Sequence, residues 1–316
     1  MKSYKIINAE PLHYSEEARA LLKTFSVVSD GPFLRSELLE RLNDVEGVIV
    51  RLGHRVDQEF LDNAPNLKMV ATATTGLNHI DLKATAQAGV EVLSLKGEID
   101  FLSTITATAE HTWGLLLALV RNTTSAFDHI LKGQWDRSQF VGRDLSGMTL
   151  GIIGYGRLGK IVAEYAKSFR MNIQFYDIST NKGGDVKYVS LEELLVTSDV
   201  ISLHVSLDGG STDLLGEAEF SLIKPGAYLV NTSRGEIVDE DSLLNALTSG
   251  RLAGAAVDVL CNEVGTAGVQ GGKMVAYAKI NDNLLITPHI GGATVDSMWK
   301  TEVFMAKKIR KFFLGS

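Results

Sequence analysis

The sequence predicts an α/β protein made of two doubly wound parallel-sheet domains. Its 316 residues suffice for two domains of ordinary size, at about 150 residues each. Short apolar runs alternate with amphipathic stretches over the first hundred residues, and a second such series begins at Thr149. Strand–helix–strand repetition of this kind builds a parallel sheet covered on both faces. Strands are expected at Lys5–Asn8, Ser26–Ser29, Gly47–Arg51, Leu67–Thr72 and Val90–Leu93. Helices are expected between them at Ser15–Thr24, Leu34–Leu42 and Leu82–Ala88. Thr106–Leu131 contains one glycine, Gly114, and no proline, with apolar residues at helical spacing, so it reads as one or two long helices. The second αβ series runs from Thr149 to about Pro288, and Val295–Phe313 reads as a closing helix. Gly265–Gly272 holds four glycines in eight residues and reads as a surface loop.

Composition removes several classes of function. Lys plus Arg number 31 against 38 Asp plus Glu, a formal charge of −7, which lacks the basic footprint of a nucleic-acid binder. The one cysteine, Cys261, has no intrachain disulfide partner, which fits a reducing, cytoplasmic setting. The apolar run Leu115–Val120 is far shorter than the ~20 residues a membrane helix needs, so no membrane partner is expected. The N-terminal Tyr4-Lys5-Ile6-Ile7 reads as a strand and not as a signal-peptide core. No H-E-x-x-H, C-x-x-C or G-x-S-x-G occurs, so zinc and serine hydrolase chemistry lack support and no metal is expected.

The most specific local signal lies after Thr149-Leu-Gly-Ile-Ile, where Gly154-Tyr155-Gly156-Arg157-Leu158-Gly159 spells G-x-G-x-x-G. The first glycine allows a tight turn, the second lets a pyrophosphate approach, and the third lets the next helix pack on the strand. That helix, Lys160–Phe169, would aim its N-terminal N–H groups at the phosphates. Asp177 ends the next strand, where a carboxylate either binds the ribose hydroxyls of an adenosine or merely caps its loop. It would repel a 2′-phosphate, and no arginine follows among Ile178, Ser179, Thr180 and Asn181, so NAD is favoured over NADP. Gly154–Lys160 also matches G-x-x-x-x-G-K, but Ile161 stands where a nucleotide triphosphatase needs a hydroxyl for magnesium.

Three later strands end in groups suited to a reaction. Ala227–Ser233 leads to Arg234-Gly235, Gly254–Val257 leads to Asp258 with Glu263 beyond it, and Leu284–Pro288 leads to His289-Ile290-Gly291-Gly292. Arginine grips a carboxylate bidentately. Histidine moves a proton while a nicotinamide moves a hydride. A glutamate beside the histidine favours imidazolium and holds the ring's orientation. Each has a blander reading, as an ion-pair, structural or loop residue, and His54, His79, His111, His129 and His204 are other histidines that spacing alone does not exclude.

Several strings together resemble the D-isomer-specific 2-hydroxyacid dehydrogenases over nearly the whole chain. They are Gly133-Gln-Trp135-Asp-Arg137, Leu145–Gly159, Val230–Gly235, Gly254–Asp258 and Thr287–Thr294, with the N-terminal Thr74–Asp81 similar to the family's substrate loop. Among its branches the chain looks most like the catalytic core of D-3-phosphoglycerate dehydrogenase, though hydroxypyruvate and glyoxylate reductases share the motifs. The resemblance implies a Rossmann NAD-binding domain, residues 101–289, inserted into a flavodoxin-like substrate domain formed by residues 1–100 and 290–316. It implies Arg234 as the carboxylate clamp, His289 as acid/base and Glu263 as its partner, with Thr75 and Gly76 holding the other side of the substrate. Around the cofactor it implies Tyr155, Arg157 and Leu158 at the pyrophosphate, Asp177 at the ribose, and His204, Val205 and Ser206 at the adenine. Thr232, Ser233, Asp258, Gly291 and Gly292 fall on the nicotinamide side. A homodimer through Thr106–Trp135 is also implied.

This chain departs from the family's pattern in having Val264 after the glutamate and Ser206 at the adenine edge, where proline is common at each motif. No additional regulatory domain is expected after the closing helix. Arg51 and Arg55 would suit a substrate phosphate, although Arg51 reads equally well as an ion-pair residue. The expected activity is therefore NAD-dependent interconversion of a small D-2-hydroxy acid and its 2-oxo acid. The alternatives are a nucleotide-sensing corepressor-like protein, which has no need of Arg234, Glu263 and His289 together, and a phosphite-type dehydrogenase, which keeps the acid. A formate-type relative would carry glutamine in place of Glu263.

Overall fold

The computed structural model describes residues 3–180, 184–207, 209–263 and 272–315, so the expected Gly265–Gly272 loop falls outside them but for Gly272. The chain divides into two compact units, one formed by residues up to Ile105 with those from Ala293 onward, the other from Thr106 to Gly292.

The first unit alternates β1 (Tyr4–Asn8), α1 (Glu16–Lys23), β2 (Ser26–Asp30), α2 (Arg35–Glu40), β3 (Gly47–Val50), α3 (Gln58–Asp62), β4 (Met69–Thr72), α4 (Leu82–Gln87), β5 (Glu91–Leu93) and α5 (Ile99–Leu102). Its five strands lie in the order β2-β1-β3-β4-β5, and every pairing is parallel. Neighbouring residues of one strand enter different cores: Ile7, Val48 and Val70 pack on one face, Ile6, Ile49 and Met69 on the other. That two-sided burial is why these strands read as unbroken apolar runs.

The second unit opens with α6 (Ala107–Val120) and α7 (Thr123–Leu131). The expected long helical segment is thus two helices, broken where Asn122 takes a left-handed φ of 51°. Asparagine tolerates that conformation because its short polar side chain bonds locally. There follow β6 (Thr149–Ile153), α8 (Arg157–Ser168), β7 (Asn172–Tyr176), β8 (Lys187–Tyr188), α9 (Leu191–Thr197), β9 (Val200–Leu203), α10 (Glu217–Leu222), β10 (Ala227–Asn231), α11 (Glu240–Thr248), β11 (Leu252–Val257), α12 (Lys273–Ala278) and β12 (Leu284–Ile286). The chain then closes on the first unit with α13 (Val295–Leu314), whose N-cap Thr294 accepts from Ser297 N. The seven strands run β12-β11-β10-β9-β6-β7-β8, all parallel. Chain order therefore reverses between β6 and β9, and the crevice beyond the carboxyl ends of such a pair is where open α/β sheets bind ligands.

The short helices α3 and α5 were absent from the expectation. At five and four residues they are too brief to display a helical period. Helix α8 begins at Arg157, three residues before its expected start, because the last glycine of the G-x-G-x-x-G motif is already helical.

Candidate active site

The β6–α8 turn is shaped by what cannot fit there. Gly154 has φ 93°, and a Cβ on it would lie 2.7 Å from the backbone of His204 at the end of β9. The two loops of the switch point thus touch through this glycine. A Cβ on Gly159 would lie 2.3 Å from Gly154 O, so the third glycine lets helix α8 sit against the turn. At Gly156 a Cβ would meet nothing within 4 Å, which leaves the backbone open to an approaching ligand. Gly156 also caps α8 without a side-chain acceptor, so the helix presents its N-terminal dipole on that open side. Beneath the turn Tyr155 stacks on the fully buried Phe175, ring centroids 4.3 Å apart.

Asp177 follows β7 and is 7% exposed. Its Oδ2 accepts from Tyr155 N at 2.8 Å and its Oδ1 from Ser179 N at 2.9 Å, so the carboxylate holds the glycine turn. His204 bonds Ser202 Oγ through Nε2 at 2.8 Å, and burial pushes its imidazole down to about 4, so the ring is neutral near neutral pH. Val205 is half-buried and Ser206 exposed on the same loop. An open glycine turn, an uncapped helix and a carboxylate at the next strand's end fit a dinucleotide. Once bound, NADH supplies the hydride and the chain supplies the rest.

The expected arginine, glutamate and histidine lie beyond the ends of β10, β11 and β12. After β10, Asn231 clamps the turn: its Oδ1 accepts from Ser233 N and its Nδ2 donates to Arg234 O. Ser233 Oγ donates to Leu203 O, and Thr232 Oγ1 lies 2.7 Å from Thr112 Oγ1 of α6. Arg234 is half-buried, its Nη1 donating to Ser233 O at 2.6 Å. Burial lowers its affinity for the proton, while the carboxylates of Glu263 and Glu236 nearby work in the opposite direction. Gly235 permits the closest approach in this region, since a Cβ there would lie 2.1 Å from the Leu260 carbonyl carbon. The arginine turn and the Glu263 loop are thereby pressed together.

Glu263 pairs with His289 through Oε1 and Nδ1, and its Oε2 accepts from Leu260 N at 3.1 Å. Both side chains keep partial access to solvent, 21% for Glu263 and 23% for His289. Nδ1 is engaged by the carboxylate, so Nε2 is the ring nitrogen left for a substrate. Asp258, 1% exposed, receives N–H groups from Ile290 and Gly291 and the hydroxyl of Thr287. Gly292 is exposed beside them. The Cys261 thiol is pushed up to about 12 by burial and by Glu240, which leaves it protonated and without nucleophilic character. The described residues contain no cluster of three or more His, Cys, Asp or Glu able to hold a metal, and no helix among them is long and apolar enough to cross a membrane.

The structure brings Arg234, Glu263, Asp258 and His289 together, and separately gathers the glycine turn with Asp177 and His204. Thr75 and Gly76 belong to the first unit, in the loop after β4, where Thr74 Oγ1 donates to Gly76 O at 2.8 Å. Arg51, also in the first unit, donates from Nη1 to Leu12 O at 2.9 Å and from Nη2 to Glu302, which is 2% exposed. Sequence reasoning passed over the contributions of His111 and Thr112. The available signal was three consecutive polar residues, Glu110-His111-Thr112, in an α6 that is apolar elsewhere apart from Thr108.

A parallel sheet with a dinucleotide turn at its switch point, and an Arg–Glu–His set at the neighbouring strand ends, defines a nicotinamide-dependent dehydrogenase. The model of the family described as D-isomer specific 2-hydroxyacid dehydrogenase, NAD binding domain, matches residues 113–291. A glyoxylate reductase of Thermococcus litoralis is 35% identical over 89% of this chain and 84% of its own length. A D-3-phosphoglycerate dehydrogenase of Methanocaldococcus jannaschii is 32% identical over 98% of this chain, which spans 58% of that longer protein. A solved D-lactate dehydrogenase of Aquifex aeolicus, complexed with NAD and lactic acid, is 30% identical with a TM-score of 0.85, covering 98% of this chain and 96% of that one. The chain belongs to the D-isomer-specific 2-hydroxyacid dehydrogenases, and is an NAD-dependent oxidoreductase of 2-hydroxy acids.

The close approach at Gly235 yields a direct expectation. Gly235→Ala must displace the Leu260–Cys261 backbone and with it Glu263, so turnover falls about 100-fold while NADH affinity stays within about threefold. Steady-state kinetics and fluorescence titration with NADH measure the two effects, and unchanged turnover contradicts the packing argument.

Proposed function

We propose that the chain reduces a small 2-oxo acid of the glyoxylate or hydroxypyruvate type to the D-2-hydroxy acid with NADH, and that Arg234, Glu263 and His289 perform the chemistry. The pairing of His289 Nδ1 with Glu263 is the observation that carries this reading. A carboxylate at Nδ1 stabilises imidazolium, so His289 can give the Nε2 proton to the carbonyl oxygen as hydride reaches the carbonyl carbon. Arg234 binds the substrate carboxylate, and its partial burial strengthens that pairing relative to water. In oxidation the same groups act in reverse, with neutral His289 accepting the hydroxyl proton.

Arg51 bears on the choice of substrate. Its terminal nitrogens are committed to Glu302 and Leu12 O, so its charge is already matched by a buried carboxylate. Those contacts support the ion-pair reading of Arg51 over a phosphate contact, which removes one of the two arginines expected for a phosphorylated substrate. The expected result is NADH oxidation with glyoxylate or hydroxypyruvate at a kcat/KM at least about tenfold above that with phosphohydroxypyruvate, with His289→Ala losing about 10²–10⁴ in kcat. Preference for the phosphorylated acid overturns the substrate assignment, and full turnover by His289→Ala overturns the role of the histidine.

A homodimer goes with this reading. Helix α6 is largely spent on its own unit, burying Trp113, Leu115, Leu116 and Leu119. The segment after it leaves Phe127 68%, Leu131 84%, Trp135 91% and Val141 81% exposed, an apolar surface suited to a second copy of the chain. A reducing, cytoplasmic setting fits the one cysteine. Sedimentation velocity on the double variant Leu131→Asp, Trp135→Asp is expected to show a monomer where the parent chain is a dimer. A parent chain that sediments as a monomer refutes the proposal.

A further inference from the structure

We propose that His111 is a positioning residue for this reaction, holding the loop that presents His289 by donating from Nε2 to the buried Asp258–Thr287 pair. The inference rests on the reading of His289 as the acid. His289 itself has φ 53°, a backbone conformation that a non-glycine residue keeps only where its surroundings fix it. The fixing groups lie on both sides of it in sequence. Thr287 Oγ1 donates to Asp258 Oδ1 at 2.6 Å, Ile290 N to the same oxygen at 2.9 Å, and Gly291 N to Oδ2 at 2.7 Å. His289 N donates to Asp258 O at 2.8 Å. One residue at the end of β11 therefore grips the loop before, at and after the acid.

His111 enters from α6, its Nε2 3.2 Å from Asp258 Oδ1 and 3.0 Å from Thr287 Oγ1. The protonation of that nitrogen follows from its neighbours. The Thr287 hydrogen is committed to Asp258, since without it two oxygens would face each other at 2.6 Å. A carboxylate in this role accepts only, so both oxygens around Nε2 offer lone pairs and the nitrogen must carry a hydrogen. His111 is thus a donor shared between Asp258 and Thr287. It also walls the loop: a Cβ on Gly291 would lie 3.7 Å from its Cδ2 and 3.3 Å from Thr108 Cγ2. With the donor gone, a buried carboxylate loses one of its partners and relaxes with the loop it anchors. Small displacements of a reacting group are costly, about 100-fold for 1 Å.

The test compares His111→Leu, which keeps bulk and offers no hydrogen, with His111→Gln, which restores an N–H donor, alongside His289→Ala and Thr287→Val. Each is assayed with NADH and the best 2-oxo acid, with NADH affinity and thermal midpoint measured in parallel. The expected result for His111→Leu is a kcat about 10- to 100-fold lower, with KM and NADH affinity within about threefold. His111→Gln should recover most of that loss, a rescue that a purely space-filling role does not produce. Should His111→Leu fail to fold, Thr287→Val carries the same expectation from the other donor. A leucine variant within twofold of the parent kcat overturns the inference, as does a glutamine variant as impaired as the leucine one. Loss of turnover in His289→Ala with no loss in His111→Leu sinks this inference alone, while retained turnover in His289→Ala sinks the reading beneath it.

Discussion

The Asp258 carboxylate is cut off from solvent, and a carboxylate so placed persists only where protein donors replace the water it has lost. Here the donors come from the segment that carries His289, so meeting the needs of the carboxylate and shaping the loop are the same event. The backbone of Asp258 continues the pattern: its N–H donates to Asn231 O and its carbonyl accepts from His289 N. Asn231 in turn clamps the Arg234 turn through its side chain. The arginine and the histidine are therefore coupled through neighbouring strands and not through each other. A rigid sheet end of this kind holds the two side chains' loops at a fixed separation.

The glycines of the unit work by a related rule. Gly154 brings the end of β6 against His204, and Gly235 brings the Arg234 turn against Leu260 and Cys261. Each removes a side chain so that two backbones can close on a site. Gly156 differs, because the space beyond it is empty and belongs to whatever binds there. Asp177 serves the same turn by fixing the Tyr155 amide.

Much of this was legible in the sequence, for identifiable reasons. The strands are buried on both faces, so each registers as an apolar run; the G-x-G-x-x-G motif has strict spacing because backbone approach tolerates no substituent. The family and its NAD dependence followed from those strings. What escaped were features that a linear reading cannot hold. The break at Asn122 depends on one residue's left-handed backbone. The His111–Asp258–Thr287 contact joins residues 147 and 176 positions apart, which no local period records. Arg51 was left between two readings because its partner Glu302 lies 251 residues away. Asp258 was assigned to the nicotinamide side by resemblance, whereas its own hydrogen bonds show it as the anchor of the His289 loop.

Glu263 offers the most direct test of the central claim that a carboxylate-held histidine supplies the proton. Glu263→Gln keeps size and one acceptor oxygen for His289 Nδ1 but cannot stabilise a cation there. With saturating NADH and 2-oxo acid, pre-steady-state NADH oxidation should slow by about 10- to 100-fold while NADH affinity is unchanged. A glutamine variant that oxidises NADH at the parent rate would show that the Glu263–His289 pair does not drive the proton transfer.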